Sequence, residues 1–220
     1  MKTAIIIGAT GLTGSILLQQ LILDDQYLKI KLFSRKSANV IHPKVEEHII
    51  DMFQLHDIAA NFTADQVFCC IGTTAAKTPN KEIYHQIDYG IPVTTAKLCE
   101  KNNIKTLIVI SALGANSKSN VFYNRTKGEM EERVLKLHIP KTHILQPSLI
   151  GGHRIEKRPS EFFFKQLMKV FNPLLIGFLK KYRMIHPETI VSAMIWLANH
   201  DFDQKRIVSD EIMKISRKNV

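Results

Sequence analysis

The chain has few cysteines: three in 220 residues, at Cys69, Cys70 and Cys99. That number excludes a disulfide framework, and their spacing excludes a zinc site. Cys69 and Cys70 end an apolar run and read as buried thiols. The nine histidines contain no HExxH or comparable metal pattern. Long apolar runs are missing, so no segment reaches the roughly 20 residues that a membrane-spanning helix needs. The N-terminus carries one lysine, and glycine interrupts its apolar run at once, which does not fit a secretory signal. Internal repeats, low-complexity stretches and evident linkers are absent too. The expectation from these absences is a reducing, cytoplasmic setting. Nucleic-acid modules and basic–aromatic motifs are also lacking, although 30 Lys and Arg against 20 Asp and Glu give a formal net charge of +10. The cations are spread along the chain. They read as solvated surface or as a basic cleft for a phosphorylated ligand, with no nucleic-acid partner expected.

What is present is an ordinary globular composition, 45% hydrophobic and 23% charged, and enough length for one domain with a sizeable core. The first fourteen residues say most. An apolar, β-branched run at Thr3–Ile7 meets Gly8-Ala9-Thr10-Gly11-Leu12-Thr13-Gly14, and a helical pattern follows to Leu23. A strand, a tight glycine turn and a helix start form the phosphate-binding corner of a dinucleotide-binding βαβ unit. The spacing is G-x-x-G-x-x-G, not the commoner G-x-G-x-x-G.

Strand and helix signals then alternate. Strands are predicted at Thr3–Ile7, Lys29–Phe33, Val45–Ile50, Gln66–Cys70, Thr106–Ile110 and Thr142–Gln146. Helices are predicted at Gly14–Leu23, Gln54–Asn61, Lys81–Asn102, Asn120–Leu137 and Pro187–Asn199, with a short strand or turn near Arg206–Val208. Apolar strands separated by amphipathic helices imply an α/β fold of the Rossmann type, a doubly wound parallel sheet covered on both faces. A single NAD(P)-binding domain over residues 1–220 is expected. Its cofactor-binding core spans about 1–150. A small C-terminal helical or irregular segment, about 151–220, faces the substrate.

Tyr123-Asn124-Arg125-Thr126-Lys127 is the second informative stretch. Tyr and Lys four apart share one helix face. A tyrosine titrates near 10, so proton exchange at neutral pH needs a positive charge beside the phenolate. Lowering its pKa by roughly 2–3 units corresponds to about 3–4 kcal/mol of phenolate stabilisation. By itself the pattern equally describes a buried aromatic beside a solvated lysine. Its position adds weight, because the strand Leu107–Ile110 ends in Ser111, where a hydroxyl could orient a substrate carbonyl. Ser111 as a turn residue bonded to backbone is the alternative.

The Gly8/Gly11/Gly14 turn, Ser111 after a central strand, and Tyr123-x-x-x-Lys127 on the next helix resemble the short-chain dehydrogenase/reductase superfamily. The glycine spacing resembles its extended and atypical branches, sugar-nucleotide epimerase-like proteins among them. Cys69-Cys70-Ile71-Gly72-Thr73-Thr74, Ser111-Ala112-Leu113-Gly114-Ala115, Tyr123-x-x-x-Lys127-Gly128-Glu129 and Arg154-x-Glu156-x-Arg158-Pro159-x-Glu161 resemble its Tat-interacting, oxidoreductase-like subgroup. The resemblance implies that Gly8, Thr10, Gly11, Leu12 and Thr13 line a dinucleotide. At the end of the second strand it puts Ser34, Arg35 and Lys36 where such proteins discriminate cofactors. Two cations and a serine there favour the 2′-phosphate of NADP(H) over NAD(H). Asp51 and Met52 match adenine-contacting positions, and Cys70, Ile71, Gly72 and Thr73 pass the ribose and phosphates. Pro147 and Ser148 lie near the nicotinamide. Ser111, Tyr123 and Lys127 are the implied catalytic set, with Lys127 also holding a ribose. The asparagine that completes a proton relay in many relatives is not identifiable.

Arg154 and Arg158 could clamp an anionic substrate or the cofactor phosphates, or pair with Glu156 and Glu161. His186 could face the substrate or simply cap a helix. The Phe162–Phe171 stretch reads as a core-facing helix with solvated lysines, a pocket lid, a dimer surface or a membrane-skimming helix. Two functions are expected to compete. One is an NADP(H)-dependent oxidoreductase for a carbonyl or secondary alcohol, with a nucleotide-sugar epimerase or dehydratase as a variant. The other is an NADPH-binding sensor or scaffold without turnover. A homodimer is compatible with either.

Overall fold

The structure, a computed structural model, describes residues 1–151 and 182–219. The opening run forms β1 (Lys2–Ile7), followed by α1 (Leu12–Leu23), β2 (Tyr27–Ser34), β3 (Val45–Ile49), a 3₁₀ turn (Met52–Ile58) and β4 (Gln66–Cys69). Then come α2 (Lys81–His85), a π-helical stretch (Gln86–Gly90), α3 (Ile91–Lys101), β5 (Thr106–Ile110), α4 (Phe122–Leu135) and β6 (Lys141–Gln146). After the segment outside the described residues follow α5 (Pro187–Asn199), β7 (Arg206–Val208) and α6 (Ser209–Ser216).

The seven strands among the described residues form one parallel sheet in the order β3-β2-β1-β4-β5-β6-β7. The expected doubly wound α/β fold is therefore the observed one. Being central, β1 is apolar on both faces. Ile6 packs with Leu17, Leu21, Ile190 and Met194 on one side, and Ile5 and Ile7 pack with Val93, Leu107 and Met130 on the other. The edge strand β3 is only half buried and carries Glu46, Glu47 and His48, which suits a strand with one unpaired side. From β1 the chain winds first outward to β2 and β3, then returns to β4 on the opposite side. The carboxyl ends of β1 and β4 thus flank the switch-point crevice where open α/β sheets bind ligands.

Two helices differ from expectation. Gln54–Asn61 is not an α-helix. Gln54 sits at φ −101°, ψ 21°, which breaks the turn, and a 3₁₀ turn over Met52–Ile58 takes its place. The long helix expected over Lys81–Asn102 is interrupted by the π stretch. Pro92 explains the break, since it has no N–H to give the Asp88 carbonyl four residues back, and its ring crowds that carbonyl. The unforeseen α6 closes the chain against α5. At the opposite end of the sheet from the crevice, the buried Tyr27 hydroxyl donates to Gln66 Oε1 (2.7 Å) and accepts from Asn199 Nδ2 (3.1 Å), tying α5 to β2 and β4.

Candidate functional site

The glycine turn forms a tight cradle at the end of β1. Gly8 adopts φ +88°, and its carbonyl accepts the Gly11 N–H at 3.0 Å. A Cβ at Gly14 would lie 2.2 Å from Gly8 O, so only glycine lets α1 start against the strand end. Helix α1 has no side-chain cap at Gly11 and no acidic residue in its first turn. Its first N–H groups and positive dipole end therefore suit an anion beside the exposed Thr10 and Gly11. Leu12 is half buried and Thr13 is buried. These features fit a dinucleotide pyrophosphate.

At the end of β2, Ser34 departs from its expected ligand role. Its side chain is buried and its hydroxyl donates to Lys36 O at 2.7 Å, so it holds the turn. The turn leaves Arg35 and Lys36 exposed, and neither forms an ion pair among the described residues. The neighbouring acid, Glu47, is occupied with the Ala38 N–H at 2.6 Å. A cleft of about 500 Å³ opens between α1 and this loop, lined by Thr10, Ser15, Gln19, Ser37, Ala38 and Val40 among others. It includes neither Tyr123 nor Lys127.

The next two strand ends give a mixed outcome. Asp51 is exposed, and its carboxylate caps the 3₁₀ turn by accepting the Phe53 N–H at 2.9 Å. Met52 is 4% exposed and packs in the core with Leu55 and Phe62, so its side chain points away from the surface. After β4, the Cys70 N–H donates to Ile7 O (2.8 Å), which continues the ladder into the crevice. Ile71 is half buried and Gly72 exposed. The Thr73 N–H donates to Asp88 Oδ2 at 2.8 Å. Burial pushes the Cys69 thiol up to about 11 and the Cys70 thiol well above its usual value, so both stay protonated and inert.

Helix α4 carries the titratable residues. Tyr123 is 38% exposed. It lies four residues before Lys127 on the same helix face, and as a phenolate it would raise the pKa of both Lys127 and Tyr84. Lys127 is not solvated. It is 3% exposed, and its Nζ lies 2.6 Å from Oδ1 of the fully buried Asp88. Burial acts to lower the Lys127 pKa, but the Asp88 charge, a Tyr123 phenolate and the bond to Asp88 together raise it above the ordinary value. Asp88 belongs to the π stretch, a local feature often found at functional sites.

Ser111 is also differently engaged. It is 5% exposed, and its hydroxyl donates to Glu131 Oε1 at 2.5 Å. The buried Glu131 carboxylate also accepts both short bonds from Gln146 Nε2 (2.9 and 3.0 Å) and one from Arg206 Nε (2.7 Å). With its proton committed to a carboxylate, Ser111 has none to offer a substrate carbonyl in this arrangement. Sequence reasoning missed Asp88, Glu131, Gln146 and Arg206. Only Glu131 left a signal, because 123, 127 and 131 are spaced four apart along one helix face.

Pro147 is buried, and its carbonyl accepts the Leu113 N–H. Ser148 donates to Arg183 O and accepts from Ser209 Oγ at 3.0 Å. His186 is exposed and starts α5 through its backbone carbonyl, which accepts from Thr189 and Ile190; its ring makes no cap. Arg154, Arg158 and the stretch 161–181 lie outside the described residues. Among the described residues there is no cluster able to hold a metal ion, and no helix is long and apolar enough to cross a membrane.

A doubly wound sheet with a glycine cradle at its switch point defines a dinucleotide-binding protein. The model of the NAD(P)H-binding family matches residues 8–148. The chain belongs to that family, within the atypical short-chain dehydrogenase/reductases. It is 31% identical over 193 residues to protein fmp52, mitochondrial, of Emericella nidulans, covering 80% of this chain and 81% of that protein. It is 27% identical over 198 residues to protein HTATIP2 of Rattus norvegicus, covering 88% and 80%. Among solved structures, UDP-glucuronic acid 4-epimerase from Bacillus cereus in complex with NAD superposes with a TM-score of 0.68 at 15% identity. That match covers 96% of this chain and 80% of the epimerase, and it shows the fold. The relatives correct one expectation. A cytoplasmic setting was expected, whereas the Emericella relative and others like it are named as mitochondrial proteins.

Proposed function

We propose that the protein is an NADP(H)-dependent oxidoreductase acting on a carbonyl or secondary alcohol, with Tyr123 as the proton-transfer group. The observation that carries this is the adjacency of a half-exposed Tyr123 to the charged, buried Lys127 on α4, whose sequence follows the strand next to β4. The bound nicotinamide supplies or accepts the hydride. Everything else falls to the chain. The first turn of α1 holds the pyrophosphate through backbone N–H groups. Arg35 and Lys36, cationic and without acidic partners among the described residues, receive the 2′-phosphate and select NADP(H) over NAD(H). Lys127 favours the phenolate of Tyr123 and contacts the nearby ribose. Tyr123 holds or releases the proton at its phenolic oxygen as the substrate oxygen gains or loses charge. Ser111 does not enter as a donor to substrate. Through Glu131 it ties the end of β5 to α4 and so helps position Tyr123.

A second reading, an NADPH-binding sensor without turnover, draws support from the same bonds. Ser111 and Lys127 are each satisfied internally, by Glu131 and Asp88. One experiment separates the two. Purified protein with NADPH is offered a panel of aldehydes, ketones and quinones while loss of reduced-cofactor absorbance is followed, alongside Tyr123→Phe. Turnover in wild type that falls by about 100-fold or more in the variant, at unchanged NADPH affinity, supports the enzyme. Equal silence with intact cofactor binding in both sinks it and leaves the sensor.

A further inference from the structure

We propose that Asp88 is the positioning residue that keeps Lys127 charged and aimed, and that the use of Lys127 toward the cofactor depends on it. This rests on the reading of Lys127 as a cofactor contact.

The geometry is specific. Lys127 is 3% exposed, and an ammonium out of water loses its proton readily unless a negative partner holds it. Asp88 Oδ1 is 2.6 Å away, and the other carboxylate oxygen is fixed by the Thr73 N–H at 2.8 Å. The carboxylate is therefore locked by the loop after β4, while the π stretch that presents it arises from Pro92. Other titratable groups near the ammonium do not replace it. Cys69, at the end of β4, is a neutral thiol held so by burial. Tyr84, on α2, is also kept neutral by burial and by the Asp88 charge. Tyr123, on α4 itself, carries negative charge only as a phenolate. Glu131, one turn further along α4, is taken up by Ser111, Gln146 and Arg206. Among the described residues Asp88 thus supplies the standing negative charge. Without it, desolvation, the largest single influence on Lys127, acts against the ammonium. A neutral Lys127 neither offers a charge-assisted bond to a ribose hydroxyl nor favours a phenolate at Tyr123.

The test is the NADPH dissociation constant, read from reduced-nicotinamide fluorescence between about pH 7 and 9.5, above the titration of the 2′-phosphate. Wild type, D88N, K127M and D88N/K127M are compared. The expectation is an affinity in wild type without a step in this range. In D88N it falls by about tenfold as pH rises, toward the K127M value, and in the double variant the step is absent. A D88N affinity as pH-independent as wild type, with K127M weakened, overturns the inference alone. A K127M affinity equal to wild type overturns the reading of Lys127 as a cofactor contact, and the inference with it. If D88N does not fold, the double variant decides. Recovery of folding when Lys127 is also removed supports the assignment. Failure of both overturns it, because Asp88 would then serve something other than the Lys127 charge.

Discussion

Replacing Gly14 by alanine probes the cradle most sharply, because the cost can be worked from distances. The new Cβ would sit 2.2 Å from Gly8 O and 2.8 Å from Gly8 C. Ordinary contact begins near 3.4 Å, so either the Gly8 carbonyl or the start of α1 must move by about 1 Å. Backbone lies on both sides, and no flexible side chain can yield. Overpacking of this kind costs about 1–3 kcal/mol, which for a chain of this size lowers Tm by about 2–12 °C. The larger effect falls on the cofactor. A displaced first turn misaims the N–H groups that meet the pyrophosphate, and each charge-assisted bond lost weakens binding by about tenfold or more. For stability without cofactor, Gly11→Ala is the internal control, since its Cβ would stand 3.3 Å from Gly8 O, a contact that small adjustments relieve. Thermal melting with and without NADPH, and a fluorescence titration, read both quantities. A Gly14→Ala protein that melts like wild type and binds NADPH within about twofold would refute the argument. So would a Gly11→Ala protein that, without cofactor, melts lower than Gly14→Ala.

Arg35→Ala should weaken NADPH by about tenfold to a hundredfold while changing NADH little, since only NADPH carries the phosphate it meets; equal losses for the two cofactors would remove the contact. The buried His143 has a pKa held below its ordinary value, chiefly by burial, with Lys141 adding and a bond to Gln204 O opposing. Its Nδ1 meets Gln204 O at 2.9 Å, and its Nε2 has no partner among the described residues. The unfolded chain therefore takes up this proton first as pH falls. Stability should be full above about pH 6.5 and decline as pH drops from there toward the lower folded value, levelling off below it. His143→Asn keeps a donor for Gln204, so Tm measured from pH 7.5 to 5 should lose part of this decline; an unchanged pH slope would contradict the assignment.

The fold was largely legible because its signals are local. The runs Thr106–Ile110 and Pro187–Asn199 coincide with β5 and α5, and Arg206–Val208 is a strand, β7, as one expectation had it. The strands β1, β4, β5 and β6 are central enough to be buried on both faces, so pattern and environment agree there. Where a helix was expected over Gln54–Asn61, a 3₁₀ stretch kinked at Gln54 stands over Met52–Ile58 instead. The π stretch around Asp88 was hidden because Pro92 reads equally well as the start of a second helix.

At the site, the glycine turn and the Tyr123–Lys127 face could be read because their members are sequence neighbours. Their polar partners could not. Asp88 reaches Lys127 from another helix, and Arg206 reaches Glu131 across 75 residues. The roles of Ser34, Met52 and Ser111 shifted for the same reason. Position in a motif puts a residue at a strand end, but Lys36, the core and Glu131 determine where its side chain goes.

The central claim is that this crevice binds NADP(H) with its phosphate end at Arg35 and its reactive end at Tyr123. A crystal structure of the protein with NADPH tests it most directly. The account predicts the pyrophosphate on the N–H groups that open α1, the 2′-phosphate within hydrogen-bonding distance of Arg35 or Lys36, and the nicotinamide beside Tyr123 and Lys127. A pyrophosphate seated away from the glycine turn, or a nicotinamide remote from Tyr123, would contradict it.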